Sequence, residues 1–189
     1  MSAIAARISH LSDRFETLIA NVAPVDWTNP TPCAEWSARA LVGHVVDVHQ
    51  MMLRPLERTL SPAPSVDNDP LGTFRAARAD VAGVLDDPQL AATEYEGFFG
   101  RAVVEETIDG FLGFDLSVHG WDLARATGQP FEMEAEEIER LTVKVDSLGD
   151  NLRTPGVCAA PVTVPADSAA QDRLLAFLGR DPRWAPPLA

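Results

Sequence analysis

The sequence predicts an all-α bundle, and two observations carry that expectation. Apolar residues recur at alternating steps of four and three along most of the 189 residues, and clusters of proline, glycine and asparagine fall between those stretches. Period-two alternation, the mark of a half-buried strand, is confined to short segments. A chain of this length can bury a core without disulfide or metal staples, and one domain is expected.

The first helix follows from Ile4, Ile8, Leu11, Phe15, Leu18 and Val22, which align as one stripe over residues 2–22. Pro24, Asn29, Pro30 and Pro32 then interrupt regular structure, and Ser37 is a suitable N-cap for a second helix from Ala38. Its core positions are Leu41, Val45, Val48, Met52 and Leu56. Pro55 removes a backbone donor and clashes with the preceding turn, so this helix should stop or kink near Leu53. Residues 61–70, with Pro62, Pro64, Asp67, Asn68 and Asp69, read as a loop, and Leu71, Phe74, Arg78, Val81 and Leu85 predict a third helix closed by Asp87-Pro88. Between Thr93 and Arg101, two aromatics flanked by Gly97 and Gly100 fit an irregular connection or a short strand. A fourth helix over residues 103–126 ends at Thr127-Gly128-Gln129-Pro130. A fifth, acidic helix covers 135–152 through Ile138, Leu141, Val145 and Leu148. Ser168 with Gln171 forms a capping-box signature for a short last helix ending at Gly179, and Val162-Thr163-Val164 is a strand candidate.

Fifteen basic side chains against 28 acidic ones give a formal charge of −13, which repels phosphate backbones and anionic lipid surfaces. Nucleic acid and membrane partners are therefore not expected. The two cysteines, Cys33 and Cys158, form neither a disulfide framework nor a zinc ribbon, which fits a reducing, cytoplasmic setting. Arg7, His10, Asp13, Arg14 and Glu16 interrupt the N-terminal apolar pattern, so no signal peptide or membrane span is expected there.

The fourth helix carries the chemistry. At ~100° per residue, Asp115 and His119 lie ~40° apart and Asp122 ~20° from Asp115, so the three share one stripe. Ile108, Leu112 and Ala126 flank it, which turns these polar groups toward a bundle interior where a buried charge needs a partner. A divalent cation answers that need, because imidazole nitrogen and carboxylate oxygen ligate zinc and its transition-series neighbours. His44, between Leu41 and Val45 on the second helix, is the other candidate ligand. His49, ~140° around that helix, is excluded as a ligand and expected at the surface with His10. From spacing alone, a hydrogen-bonded core histidine and a helix-surface Asp–His pair are the commoner origins of such a pattern. Gly110, Gly113, Ser117 and Gly120 on the opposite side invite close approach of another backbone, which makes this helix central.

The segments Pro32-Cys33-Ala34-Glu35-Trp36-Ser37, Leu41-Val42-Gly43-His44-Val45-Val46 and Asp115-Leu116-Ser117-Val118-His119-Gly120-Trp121-Asp122-Leu123-Ala124-Arg125-Ala126-Thr127-Gly128 resemble the metal-binding domain of mycothiol-dependent maleylpyruvate isomerase, in the DinB-like superfamily. The run from Asp172 to Pro182 is similar to the end of a small, mainly actinobacterial subfamily. The resemblance implies a four-helix bundle, here with a short additional C-terminal helix. It also implies one divalent metal, zinc or nickel, on His44, Asp115 and His119, with mycothiol or a similar low-molecular-weight thiol as cofactor. Where the isomerase has glutamate this chain has Asp115, one methylene shorter, which places the metal nearer that helix or behind a water. The residues after Gly128 read as helix plus tail, unlike the isomerase's separate C-terminal domain, so maleylpyruvate isomerisation itself is not expected.

Other residues receive simpler readings. Cys33 is either a thiolate favoured by a helix N-terminus or a small apolar contact, and no catalytic part is assigned to it. Trp36 and Trp121 are core anchors. Asp122 and Arg125 either orient ligands or form a structural pair or cap. Glu132, Glu134, Glu136 and Glu137 form a solvated helix start. Two functions stay open: a thiol-dependent transferase or isomerase acting on a small electrophile, and a non-catalytic metal-binding or stress-linked interaction protein. Glycine-lined helix faces are compatible with a homodimer.

Overall fold

The computed structural model describes residues 1–34, 36–97, 100–153 and 158–186. Helix α1 (Ala3–Ala20) starts where the Ser2 hydroxyl accepts a hydrogen bond from the Ala5 amide at 3.1 Å. Helix α2 (Ala38–Leu53) is capped in the same way, with Ser37 accepting from Ala40, and gives way to a tighter turn at Arg54–Leu56 where Pro55 removes the donor. Helix α3 (Pro70–Asp86) opens with proline in its first turn and with the Asp69 carboxylate accepting from the Gly72 amide at 2.8 Å. Asp87 ends it and caps the single turn α4 (Pro88–Ala91). The region left open between Thr93 and Arg101 contributes to an antiparallel hairpin, β1 (Glu94–Gly97) against β2 (Gly100–Val103), with Tyr95 opposite Ala102. Phe98 and Phe99 lie outside the described residues.

The fourth predicted helix is interrupted, which corrects the expectation of a continuous one. It comprises α5 (Val104–Thr107), a π-helical turn at Ile108–Leu112, and α6 (Gly113–Ala126). Val104, Ile108, Leu112 and Leu116 are all buried at strict four-residue spacing. On an ideal α-helix that spacing drifts ~40° per step, and the wider turn absorbs the drift so that all four face one core. Helix α7 (Ala135–Leu148) ends short of Leu152, because Gly149 at φ +50° diverts the chain into a tighter turn over Gly149–Arg153. The last helix, α8 (Ala170–Phe177), lacks the expected capping box. The Gln171 side chain instead accepts from the Met133 amide at 2.7 Å, and no side chain caps the helix. Val162 is not in a strand; its amide donates to the Ala176 carbonyl at 2.8 Å and ties the segment to the end of α8.

Helices α1, α2, α3 and α6 share one core that includes Phe15, Leu41, Leu53, Phe74, Ile108 and Leu123, each at most 1% exposed. Burying each such side chain contributes roughly 1.5–3 kcal/mol. A second cluster, with Trp121, Leu141, Val145, Leu175 and Leu178, packs α7 and α8 on another side of α6. Helix α6 is thus flanked by both clusters, as its composition implied. Among the described residues, no helix is long and apolar enough to cross a membrane.

The small-residue face of that helix receives side chains and not another backbone. The Arg7 guanidinium lies over Gly113 and the Phe131 ring over Gly120, where a Cβ would come within 2.9 Å of the ring. Arg7 bonds both Glu137 oxygens, at 2.6 and 2.9 Å, as well as Asp109, and Ser117 donates to Glu137 at 2.9 Å. Glu137 is therefore buried, not solvated as its acidic run suggested, because a cation on α1 reaches across to it. Arg7→Ala should leave the buried Glu137 carboxylate without its cation and lower stability by about 1–3 kcal/mol, read from urea unfolding midpoints at constant m.

His49 corrects a second expectation. It is fully buried, not at the surface, because the side of α2 turned away from His44 packs into the bundle, where the ring meets Phe74 edge-on at 5.4 Å. Its Nδ1 bonds the Val45 carbonyl at 2.7 Å, and among the described residues its Nε2 has no partner. Burial drives its pKa from 6.5 down to about 4, against the opposing pull of the Val45 bond. The folded state therefore resists protonation while the unfolded chain takes up a proton below pH 6.5. Stability should fall by up to about 3 kcal/mol as pH drops from 6.5 toward 4, and His49→Phe should flatten that part of a urea-midpoint profile.

Candidate metal centre

Helices α2 and α6 bring His44, Asp115 and His119 together. His44 Nε2 lies 3.3 Å from Asp115 Oδ2, and His119 Nε2 lies 4.0 Å from Asp115 Oδ1. The two imidazole rings approach to 5.0 Å at 83°, and one donor atom from each of the three residues falls within a 4.8 Å cluster. Ligands ~2.0–2.2 Å from a tetrahedral ion lie ~3–3.6 Å from one another, so the three groups can close on one ion with side-chain adjustment. The short Asp115 side chain is long enough to meet both histidines. Trp36, ahead of α2, stacks on His44 at 4.3 Å and 28° and meets His119 edge-on at 5.7 Å, which fixes the plane of the more exposed histidine.

Beneath the cluster lies a buried polar group that fixes the other histidine. His119 Nδ1 donates to Asp122 Oδ2 at 2.9 Å, which leaves the Nε2 lone pair facing Asp115 and His44. Asp122 is fully buried and is held by Arg180, whose Nη2 lies 3.1 Å away. Burial alone would raise the Asp122 pKa, but the Arg180 charge and the His119 bond hold it below the usual carboxylate range. Of the two alternatives for Asp122, the structural pairing is present, with Arg180, and Asp122 also orients the His119 ring. Arg125 does not join this group; it donates to the Pro182 carbonyl at 2.9 Å.

Cys33, His119 and Asp122 form a second set of possible ligand atoms. Arg180 Nη2 donates to the Cys33 sulfur and bonds Asp122, both at 3.1 Å, so a fixed cation already serves the donors a metal would need. Burial first and the Asp122 charge second push the Cys33 thiol up to about 12, so neither sequence-based reading of Cys33 describes it fully. It is neither an activated thiolate nor a purely apolar contact, but a neutral thiol hydrogen-bonded to an ion pair. Arg180, 58 residues beyond Asp122, has no spacing signal that could have linked it to the site.

These features define a class: a helical bundle with an inward-facing imidazole–carboxylate cluster braced by a second carboxylate. The chain belongs to the family described as mycothiol maleylpyruvate isomerase N-terminal domain, whose model matches residues 8–124. Its fold is accordingly the all-α, DinB-like bundle. The chain is 31% identical over 173 residues to two uncharacterized proteins of Mycobacterium tuberculosis, from strains CDC 1551 and H37Rv; each alignment covers 90% of this chain and 94% of the relative. No solved structure gives a significant match. The matched stretch contains His44, Asp115, His119 and Asp122 and stops before Arg180.

Proposed function

We propose that the chain binds one divalent transition metal, zinc or nickel, through His44, Asp115 and His119, and uses it in a thiol-dependent transfer or isomerisation on a small electrophile. Mycothiol or a similar low-molecular-weight thiol is the co-reactant, consistent with the family name. The observation that carries this reading is the orientation of His119, whose Nδ1 is committed to buried Asp122 and whose Nε2 is turned to Asp115 and His44. A carboxylate behind a histidine is the usual support for a metal-ligating imidazole. Mixed nitrogen and oxygen donors suit zinc or nickel better than calcium or magnesium, which prefer all-oxygen shells.

A divalent ion on three side chains supplies an open coordination position that lowers the pKa of a thiol reaching it. The protein's own part is to hold and orient the donors. Asp122 fixes the tautomer of His119, Arg180 keeps Asp122 ionised, and Trp36 restricts the ring of His44, which is 31% exposed and forms the solvent side of the cluster. The test is elemental analysis of the purified protein followed by a thiol-dependence screen on small electrophiles. About one zinc or nickel per chain and thiol-dependent turnover that is lost in His119→Ala are the expected results. Stoichiometric metal without thiol-dependent turnover would instead support a non-catalytic metal-binding protein.

A further inference from the structure

Arg125 faces a second cleft. At ~100° per residue it lies ~80° around α6 from Asp115, off the ligand stripe. The cleft has a volume of about 630 Å³ and is bounded by Arg14 of α1, Trp121 and Arg125 of α6, Gln129 and Phe131 of the following loop, and Gln171 of α8. That volume falls within the ~300–1,000 Å³ common for small-molecule sites.

Both guanidinium groups lie against aromatic rings, Arg14 at 4.6 Å over Phe131 and Arg125 at 5.5 Å over Trp121. Their bonding differs. Arg14 donates to the Glu132 carbonyl and lies 3.8 Å from Glu134. Arg125, in a chain of net charge −13, has no carboxylate within 4.0 Å among the described residues; among them its guanidinium makes one hydrogen bond, to the Pro182 carbonyl, and its buried Nε has no partner. Arg39 and Arg153 likewise donate only to backbone carbonyls, but among the described residues Arg125 is the one arginine with a buried donor left unpartnered. A partly desolvated guanidinium with open donors favours a carboxylate, whose two oxygens match its planar fork. Glu132 and Asp172 also line the cleft. Two cations and two carboxylates leave it near neutral, so a multiply charged anion gains little there, whereas a single carboxylate attached to an apolar body can use both Arg125 and the half-buried Phe131 ring.

We propose that this cleft binds an organic monocarboxylate with a planar apolar body, its carboxylate on Arg125 and its body against the half-buried Phe131 ring, beside the edge of Trp121 that reaches the cleft. The site is independent of the metal reading. Phenylacetate is a suitable probe, followed by amide chemical-shift perturbation or calorimetry on the full chain, with phenylacetamide as the neutral isostere and inorganic phosphate as the compact polyanion. Phenylacetate should bind saturably at least about tenfold more tightly than phenylacetamide or phosphate, with shifts centred on Trp121, Arg125 and Phe131. Zinc-loaded and chelator-treated protein should bind it equally, and Arg125→Gln should lose at least about tenfold in affinity with an unchanged circular dichroism spectrum. Equal binding of phenylacetate and phenylacetamide by the wild-type chain would overturn the proposal even if the variant failed to fold. Full affinity in Arg125→Gln, phosphate binding as tight as phenylacetate, binding that needs the metal, or no saturable binding would overturn it as well.

Discussion

His119→Ala should lower zinc affinity by more than about 100-fold in the chelator-stripped protein, and His44→Ala by a comparable factor. Losing a supporting partner typically costs about 10–100-fold, and these substitutions remove a donor outright. Asp115→Ala removes the carboxylate that lies 3.3 Å from one imidazole and 4.0 Å from the other, and should cost at least about tenfold. Competition against a chromophoric chelator, run with zinc and with nickel, measures all three. Circular dichroism controls for folding, since His119 also bonds Asp122. Equal binding by the wild type and the three variants would reduce the cluster to a set of core polar groups.

Asp122→Ala should be the most destabilising single change at the site. It leaves Arg180, whose side chain is 8% exposed, as a buried cation without its carboxylate, and it frees the His119 ring. Breaking a buried pair from one side costs about 3–5 kcal/mol, which in a chain of this size lowers Tm by about 6–20 °C. Where the protein stays folded at low temperature, metal affinity should also fall by about 10–100-fold through the loosened histidine. Asp122→Asn preserves shape and separates the effect of charge from that of packing. Combining Asp122→Asn with Arg180→Met should recover much of the lost stability, because no unpaired charge remains, but should not restore metal affinity. Stability of Asp122→Asn within about 0.5 kcal/mol of wild type would show that the pair does not hold the site together.

The helices of the bundle were legible because their local signals and their burial agree. Ser37 caps α2 and Pro55 ends it as the sequence implies, and the stripe through Ile8, Leu11, Phe15 and Leu18 is the face that α1 buries. Asp115 and His119 could be placed together because four residues on one helix fix their direction. His44 stood out as a candidate on its own helix, but its meeting with them rested on a family resemblance, since spacing along one helix says nothing about which neighbour it will face. What escaped the sequence depends on tertiary partners. His49, ~140° around α2 from His44, was expected at the surface, yet that side of α2 also packs into the bundle, against Phe74. Glu137 looked solvated until Arg7, 130 residues away, was seen to reach it. The π turn at Ile108–Leu112 left only a strict four-residue repeat as its trace, which an ordinary helical reading absorbs.

X-ray absorption at the zinc edge of the loaded protein bears most directly on the proposed centre, because the two candidate ligand sets differ in sulfur. His44, Asp115 and His119 should give a first shell of nitrogen and oxygen only, at ~2.0–2.2 Å, with outer-shell scattering from two imidazole rings. A sulfur shell at ~2.3 Å would place the ion on Cys33 with His119 and Asp122, displacing Arg180, and would contradict the centre proposed here.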